Sequence, residues 1–175
     1  EFVMADGKFV NIWCTACSSG EEPYSLAMML EHTAQVRLGL LNYSILATDI
    51  NTELLEKAAV GSYPIKQLET IPESYRRYVS VQSDSFQIDK GIRAHISWKY
   101  DNLMNEVFLN QWNLILCRNV MIYFNPDTRT KLAESLWNAL RPGGSLIIGT
   151  TENVDIGRKL FAYREPSIYT KRRTG

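Results

Sequence analysis

The sequence predicts an α/β fold in which helices cover both faces of a parallel sheet. Stretches that resemble strands alternate with helical stretches along most of the chain. The three strongest strand candidates, residues 10–14, 43–47 and 114–117, are apolar on both faces. Such strands require cover on both sides, which a parallel sheet between helices provides. At 175 residues, 45% of them hydrophobic, the chain is long enough for one domain with its own core.

The elements follow from the pattern in chain order. We expect strands near 9–15, 44–48, 112–117 and 145–150, helices near 21–32, 52–60 and 126–140, and one more strand from Phe161 to Thr170. The segment 141–144, Arg-Pro-Gly-Gly, is typical of a helix stop followed by a tight turn. Residues 1–8 are expected to be a linker, and because the chain opens at Glu1 we expect that something preceded it.

Residues 61–100 break the alternation and predict a small β insert. The segments 76–82, 85–88 and 92–98 are interpreted as short antiparallel strands, with the second turn at Asp89-Lys90-Gly91. Two interpretations stay open: a hairpin that only covers the sheet edge, or a docking surface that accepts an extended peptide as an additional strand.

Charge and composition narrow the function classes. Nineteen basic and nineteen acidic residues give a net charge near zero, so nothing global attracts the chain to nucleic acid or to an anionic membrane. The apolar stretches are too short to span a membrane and no leader peptide is visible, so a soluble, cytoplasmic protein without membrane insertion is expected. The basic run at 171–173 is interpreted as a solvated end.

Three cysteines do not form a disulfide framework in a chain of this size. Cys14 and Cys17 have the C-x-x-C spacing, but they lie across a strand end, and the chain contains only two histidines, His32 and His95. We therefore interpret the cysteines as buried thiols and predict no metal site.

The most informative segment is 11–25, an apolar strand followed by a loop of small residues and an acidic helix start. The small residues of the loop let a ligand approach the backbone; they are Ala16, Ser18, Ser19 and Gly20. Glu21 and Glu22 would repel a phosphate at the helix N-terminus, and no glycine fingerprint of a nucleotide-binding loop is present. The expected ligand is a cation or a zwitterion with an ammonium group. The alternative is a capped helix with solvated acids.

In two further segments, polar residues directly follow a buried strand. Asp49 follows the second strand, where an acid can accept both hydroxyls of a ribose, although Asp49 or Asn51 could instead cap the next helix. Arg118 and Asn119 leave the third strand, and with Tyr123 they bracket an apolar stretch that a buried core would explain. Together with the acidic helix start, these residues suggest an adenosine that carries an amino acid.

These residues resemble those of a known family. The matching runs are Gly-Glu-Glu-Pro-Tyr-Ser at 20–25, Ala-Thr-Asp-Ile at 47–50, Asn-Leu at 102–103, Cys-Arg-Asn-Val-Met-Ile-Tyr-Phe at 117–124, Pro-Gly-Gly at 142–144 and Thr-Glu-Asn at 151–153. They resemble the CheR-type glutamate methyltransferases that act on chemotaxis receptors, and the likeness extends from about Asn11 to Tyr169. The run at 117–124 is the most specific of them.

The resemblance implies a class I methyltransferase, a Rossmann-like α/β sheet that binds S-adenosylmethionine and releases S-adenosylhomocysteine. It implies the following roles: Glu22 binds the methionyl ammonium, Asp49 the ribose, Asn102 and Leu103 the adenine region, and Arg118, Asn119 and Tyr123 line the reacting end, with Tyr123 and Arg118 as the catalytic candidates. The implied partner is the cytoplasmic domain of methyl-accepting chemotaxis receptors. In some members the β insert grips a receptor tail peptide.

The chain departs from the family pattern in two respects. It contains neither the small helical N-terminal domain nor the Thr-x-Phe-Phe-Arg stretch that joins it to the catalytic domain, so residues 1–175 are expected to be the catalytic domain alone, with its insert at about 61–100. The turn at 82–85 lacks the glycine-rich extension of tail-binding members. The alternatives are a noncatalytic module that binds cofactor or receptor and, less favoured, a nicotinamide-dependent oxidoreductase.

Overall fold

A computed structural model describes residues 9–36, 39, 41–105, 112–152 and 161–172. Their strands and helices are β1 Phe9–Thr15, α1 Glu21–Val36, β2 Asn42–Asp49, α2 Thr52–Val60, β3 Ser62–Pro64, β4 Val79–Val81, β5 Ser85–Ile88, α3 Lys90–Arg93, β6 Ile96–Tyr100, β7 Trp112–Cys117, α4 Pro126–Ala139, β8 Leu140–Ile148, β9 Phe161–Glu165 and β10 Ile168–Lys171. Short 3-10 helices span Ile65–Thr70, Glu73–Tyr78 and Met121–Tyr123. Within these described ranges, no helix has the length and apolar character needed to cross a membrane.

The main sheet has seven strands in the order β6-β2-β1-β7-β8-β10-β9. The first five run parallel, and β10 and β9 are added antiparallel at the β8 side. In the register, Ile12 of β1 lies between Ile45 of β2 and Leu114 of β7. The predicted α/β fold with a mainly parallel sheet is confirmed.

Two apolar layers lie against the two faces of the main sheet. Residues of β1 alternate between them: Ile12 belongs to the layer under α1 and the insert, and Trp13 to the layer under α4. The first layer contains Tyr24 of α1, and the second contains Leu136 of α4. This division explains why the central strands are apolar on both faces.

The helix ends follow from capping side chains. The Asn51 side chain accepts a hydrogen bond from the backbone N–H of Leu54 at 3.1 Å, and Asn125 accepts one from Thr128 at 2.9 Å. Asparagine is a favoured N-cap because its oxygen satisfies an otherwise unbonded helix N–H. The predicted helix at 52–60 is confirmed, and the helix predicted at 126–140 ends one residue earlier, at Ala139. Asn51 therefore caps α2.

The insert is smaller than predicted. Its sheet has three antiparallel strands in the order β3-β5-β4, so the short segment Ser62–Pro64 takes part, which the sequence pattern did not reveal. The first half of the predicted strand at 76–82 is a 3-10 helix. The insert sheet thus ends at Ile88 rather than near residue 100.

The prediction of an antiparallel insert strand at 92–98 is wrong. The supposed turn at 89–91 opens α3, and Ile96–Tyr100 forms β6, which pairs in parallel with β2 at the edge of the main sheet. Ile96 lies beside Ile45 and is buried, whereas its neighbour Ser97 is exposed. An edge strand of a parallel sheet and an antiparallel strand both show this alternation, so the local pattern could not separate them.

The end of the described chain is a hairpin rather than one strand. β9 and β10 pair antiparallel on either side of a turn in which Ser167 has φ +69°. A left-handed residue reverses the chain where the pattern predicted a single strand over 161–170. β8 also begins earlier than predicted, at Leu140, directly after α4.

The prediction of a solvated basic end at 171–173 is wrong for Lys171; Arg172 is exposed as predicted, and Arg173 lies outside the described residues. The Lys171 side chain is buried, and its ammonium donates to the carbonyl oxygens of Trp137 at 2.9 Å and Leu140 at 2.7 Å. The ammonium also lies 4.0 Å from the centroid of the Trp137 ring. These contacts satisfy carbonyl groups at the C-terminus of α4, where a cation is favoured. Burial lowers the pKa of Lys171.

Replacing Lys171 by methionine should lower the free energy of unfolding by about 2 kcal/mol, because a charge-assisted donor to two carbonyl groups is lost while most of the apolar volume stays. Urea unfolding measures the change. Lys131→Met on the exposed side of α4 is the matched control and should change stability by less than about 0.5 kcal/mol. Equal stability of the two variants would show that Lys171 does not fasten β10 to α4.

Candidate functional site

The carboxyl ends of β1, β2 and β7 lie side by side, and the candidate residues follow directly after them. β1 pairs with β2 up to Cys14 and Ala47, and with β7 up to Thr15 and Cys117. Ligands of open α/β sheets bind at this edge, where the loops after parallel strands converge. The sequence predicted the same edge.

Three backbone N–H groups of the loop after β1 donate to acceptors within the protein. The backbone N–H of Cys17 donates to Thr48 O at 2.9 Å, that of Ser18 to a carboxylate oxygen of Asp49 at 2.7 Å, and that of Gly20 to Cys17 O at 3.0 Å. A phosphate-binding loop instead directs such groups at the ligand. The geometry supports the prediction that this is not a phosphate site.

Gly20 is required by the packing of the loop. A Cβ atom at this position would lie 2.8 Å from the Ala58 side chain and 2.8 Å from the Trp98 ring, and Gly20 has φ +91°. Its lack of a side chain therefore lets the loop pack onto α2 and β6. Close approach of a ligand to the loop stays a prediction.

The two acids of the first turn of α1 have different partners. Glu22 accepts a hydrogen bond from the Arg118 guanidinium at 2.6 Å, and these side chains are 23% and 41% exposed. Glu21 is exposed and accepts from the Ser19 hydroxyl at 2.7 and 2.9 Å. Of the two acids, Glu22 is thus the one that faces the loop after β7. The alternative of a capped helix with solvated acids describes Glu21 but not Glu22.

Asp49 joins three segments of the edge. One carboxylate oxygen accepts the Ser18 N–H at 2.7 Å, and the other accepts the Asn51 N–H at 2.9 Å. The Asp49 carbonyl accepts the N–H of Asp101 at 3.1 Å, which places the chain after β6 beside the end of β2. Each carboxylate oxygen keeps a further lone pair for a hydroxyl, so the predicted contact with a ribose remains open to Asp49.

The segment after β6 carries the pair predicted for the adenine region. The side-chain oxygen of Asn102 accepts the N–H of Met104 at 3.1 Å, which fixes a turn. Leu103 is half-buried and packs against the apolar layer under α4. Both residues lie beside the segment that Asp49 holds through Asp101.

The apolar side chains of the loop after β7 differ in burial. Met121 is buried, but Ile122 is 50% exposed and Tyr123 is 79% exposed. Interpreting this run as core is therefore correct for Met121 and wrong for Ile122, and Tyr123 is not buried in the core either. Two further apolar side chains of the run are half-buried against the layer under α4: Val120 and Phe124. Asn119 has φ +58°, a left-handed conformation that asparagine tolerates better than most residues.

Sequence reasoning gave no role to Glu152, which organises this loop. Its carboxylate accepts the backbone N–H groups of Gly149 at 2.6 Å, Met121 at 2.7 Å and Asn119 at 2.9 Å. The signal was present in the Thr-Glu-Asn run at 151–153, of which Asn153 lies outside the described residues.

The three cysteines are buried thiols, as predicted. Burial raises the pKa of Cys14, that of Cys17 to about 12 and that of Cys117 to about 12, so the neutral thiol is favoured in each case. In the part of the chain that the structure describes, no group of three or more metal-ligating side chains is placed to hold an ion.

A cleft of about 220 Å³ lies between α1 and the insert. Its lining is mainly apolar and includes Met28, Tyr63, Tyr75 and Phe86. None of the predicted site residues is among the described residues that line it. We therefore place the candidate site at the sheet edge, where the charged groups converge.

Comparison with known proteins agrees with this geometry. Residues 2–169 match the model of one family, described as "CheR methyltransferase, SAM binding domain". The chain belongs to this family. The cofactor that the family description names is S-adenosylmethionine, as predicted from the resemblance.

Curated relatives in the CheR family support the assignment. A chemotaxis protein methyltransferase of Listeria monocytogenes is 38% identical over 146 residues, covering 83% of this chain and 54% of the relative. One of Borreliella burgdorferi is 37% identical over 175 residues, covering 98% of this chain and 62% of the relative. The chain thus spans between about half and two thirds of the length of these relatives.

A solved structure supports the fold alone. A TehB-like SAM-dependent methyltransferase from Corynebacterium glutamicum superposes with a TM-score of 0.53 at 15% sequence identity, covering 98% of this chain and 83% of the other. The class I methyltransferase fold predicted from the resemblance is therefore confirmed.

The raised pKa of Cys17 predicts a stability change at high pH. An unfolded thiol ionises near pH 9, whereas the folded one keeps its proton up to about pH 12. The free energy of unfolding should therefore fall as the pH rises through this window, by up to about 1.4 kcal/mol per pH unit from this residue. Urea unfolding of Cys17→Ala should show a shallower fall above pH 9 and a curve parallel to the unaltered chain at pH 6–8. Identical slopes above pH 9 would contradict it.

Proposed function

We propose that this chain is the catalytic domain of an enzyme that methylates glutamate side-chain carboxylates of chemotaxis receptors with S-adenosylmethionine. The products are glutamate methyl esters and S-adenosylhomocysteine. The proposal rests on one observation above all: in a chain of the CheR family, the Glu22–Arg118 ion pair and Asp49 lie at the carboxyl edge of the parallel sheet.

The Glu22–Arg118 pair fits the amino-acid end of the cofactor. It presents a negative and a positive group next to each other, with 2.6 Å between the paired atoms. An α-amino acid carries an ammonium and a carboxylate on one carbon, so each group meets an opposite charge. Glu22 would bind the ammonium, and Arg118 has donors left for the carboxylate, since a guanidinium carries five N–H groups.

Residues at the neighbouring strand ends would bind the adenosine part of the cofactor. Asp49 would accept the ribose hydroxyls with the lone pairs that Ser18 and Asn51 leave unused. Asn102 and Leu103 would line the adenine region, since the backbone bond between Asp101 and Asp49 sets their segment beside the ribose position. Asn119 would line the reacting end beside Arg118.

The chemistry demands orientation rather than proton transfer. When bound, S-adenosylmethionine supplies a methyl group on a positively charged sulfur, and a glutamate carboxylate is already ionised near neutral pH. The carboxylate oxygen forms the new bond to the methyl carbon as the sulfur–carbon bond breaks, so no strong base is required. Tyr123, which is 79% exposed and lies on the same loop as Arg118, would orient the incoming carboxylate.

The location follows from the proposed substrate. Receptor glutamates that are methylated in the cytoplasmic domain are reached from the cytoplasm, so we propose that the enzyme acts there. Docking of a receptor tail peptide on the β insert stays a prediction from the resemblance.

The direct test is methyl transfer. A protein of the relatives' full length that contains this chain is incubated with labelled S-adenosylmethionine and a purified receptor cytoplasmic domain, and base-labile methyl ester is counted. We expect label on the receptor domain and none on a receptor variant whose acceptor glutamates are replaced by alanine. Cofactor binding without transfer to the receptor domain would favour a noncatalytic module instead.

Glu22→Gln should weaken S-adenosylhomocysteine binding about 10- to 100-fold, because a charge-assisted contact of about 1.5–3 kcal/mol is lost. Asp49→Ala should weaken it as well. Calorimetric titration of this chain gives the dissociation constants. Glu21→Gln is the matched control, since it removes the neighbouring charge, whose partner is Ser19, and it should bind nearly as the unaltered chain does. If neither Glu22→Gln nor Asp49→Ala changes binding while the fold is intact, the assignment of the pocket is wrong.

Tyr123→Phe should lower the turnover number of the full-length enzyme and leave the dissociation constant of S-adenosylhomocysteine within about twofold, because the hydroxyl is used in the transition state. Because Tyr123 is exposed, its hydroxyl contributes little to packing, and the melting temperature of the Tyr123→Phe variant should hardly change. Ile122→Ala, at the exposed neighbouring position, is the control for disturbance of the 3-10 turn. Unchanged turnover would remove Tyr123 from the catalytic residues.

A further inference from the structure

The carboxylate of Glu152 is bonded to the loop after β7. One carboxylate oxygen accepts the N–H groups of Asn119 and Gly149, and the other accepts that of Met121. Three convergent N–H donors within 2.9 Å saturate much of the accepting capacity of one carboxylate. Bonds to an ionised acceptor are among the stronger ones in proteins, so the loop is fixed relative to the end of β8.

The residues that Glu152 holds are adjacent to those of the proposed site. Asn119, which Glu152 holds, is itself assigned to the proposed site, and Arg118, also assigned to it, directly precedes Asn119. Met121 opens the 3-10 turn that ends at Tyr123. The carboxylate therefore sets the backbone on both sides of Asn119, whose φ of +58° needs support from its surroundings.

The close packing around Gly149 gives independent support. A Cβ atom at Gly149 would lie 2.6 Å from a Glu152 carboxylate oxygen and 2.6 Å from the side-chain oxygen of Asn119. A side chain at position 149 would therefore displace the Glu152 carboxylate and the Asn119 side chain from their present positions.

We propose that Glu152 is a positioning residue for the cofactor site: its carboxylate holds the 118–123 loop in the conformation in which Arg118 and Asn119 meet S-adenosylmethionine. Glu152 acts through the backbone of this loop and does not touch the cofactor. The inference rests on the proposed function, since the effect on the ligand passes through residues assigned there.

The test compares Glu152→Gln with the unaltered chain in calorimetric titrations with S-adenosylhomocysteine. Glutamine has the size of glutamate, but its NH2 group must face at least one of the three N–H donors. We expect binding to weaken about tenfold or more, since small misplacements of binding groups have large effects. Glu134→Gln, an exposed acid on α4, is the matched control and should bind normally. If the unaltered chain binds, and Glu152→Gln binds equally well, Glu152 has no positioning role.

Backbone amide resonances separate positioning from general stability. In Glu152→Gln the amide signals of Asn119, Met121 and Gly149 should shift, whereas those of α2 should stay in place. A lower melting temperature with shifted amides and an unchanged dissociation constant would make Glu152 structural only and overturn the proposal. Glu152→Asp provides a second variant, since it keeps the charge but is one methylene too short to reach all three donors. It should also weaken binding, and normal binding would overturn the proposal too.

A background that lacks the side chains of Arg118 and Asn119 tests whether Glu152 affects cofactor binding through them. In an Arg118→Ala, Asn119→Ala background, Glu152→Gln should weaken binding by much less than in the unaltered chain, because the side chains it positions are gone. Additive losses would show that Glu152 does not act through this loop. Absence of binding by the unaltered chain would refute the proposed function itself, which distinguishes that failure from failure of the positioning role.

Discussion

The central strand β1 constrains the rest of the structure. It pairs with β2 on one side and β7 on the other, and both of its faces are covered. Its backbone groups are therefore engaged by neighbours and its side chains by two apolar layers, so polar groups can reach a ligand only beyond its ends, and in open α/β sheets the carboxyl end is the one that binds ligands. The loop from Ala16 to Gly20 lies at that end, and it is built against the ends of β2 and α2.

The sequence predicted those parts of the fold whose signals are local. Asn51 and Asn125 cap their helices through bonds to residues three positions away, so both helix starts could be found from the pattern. The failure at 92–98 has a topological cause. Whether Ile96 pairs with the insert or with Ile45 depends on a partner about fifty residues away, and alternation of apolar and polar residues carries no information about that partner.

The functional residues likewise divide into those that local sequence signals predict and those that they do not. Glu22, Asp49 and Arg118 were found because charged residues that leave an apolar strand or open a helix are chemically out of place unless something binds them. The roles of Glu152 and Lys171 were not predicted, because four of their bonds reach backbone groups 31 to 34 positions away along the chain. The Thr-Glu-Asn run draws attention to Glu152, but it does not show which distant N–H groups the carboxylate accepts.

The ion pair between Glu22 and Arg118 also bears on how the site can favour methyl transfer. An arginine that gripped the substrate carboxylate would stabilise the reactant and would lose that interaction as the carboxylate becomes a neutral ester, which slows the reaction. With one Nη atom 2.6 Å from Glu22, the guanidinium is directed toward α1. In the proposed function the incoming carboxylate is therefore assigned to Tyr123, whose hydroxyl can orient it by a single hydrogen bond, so that proposal gives cofactor binding and orientation of the nucleophile to different residues of one loop.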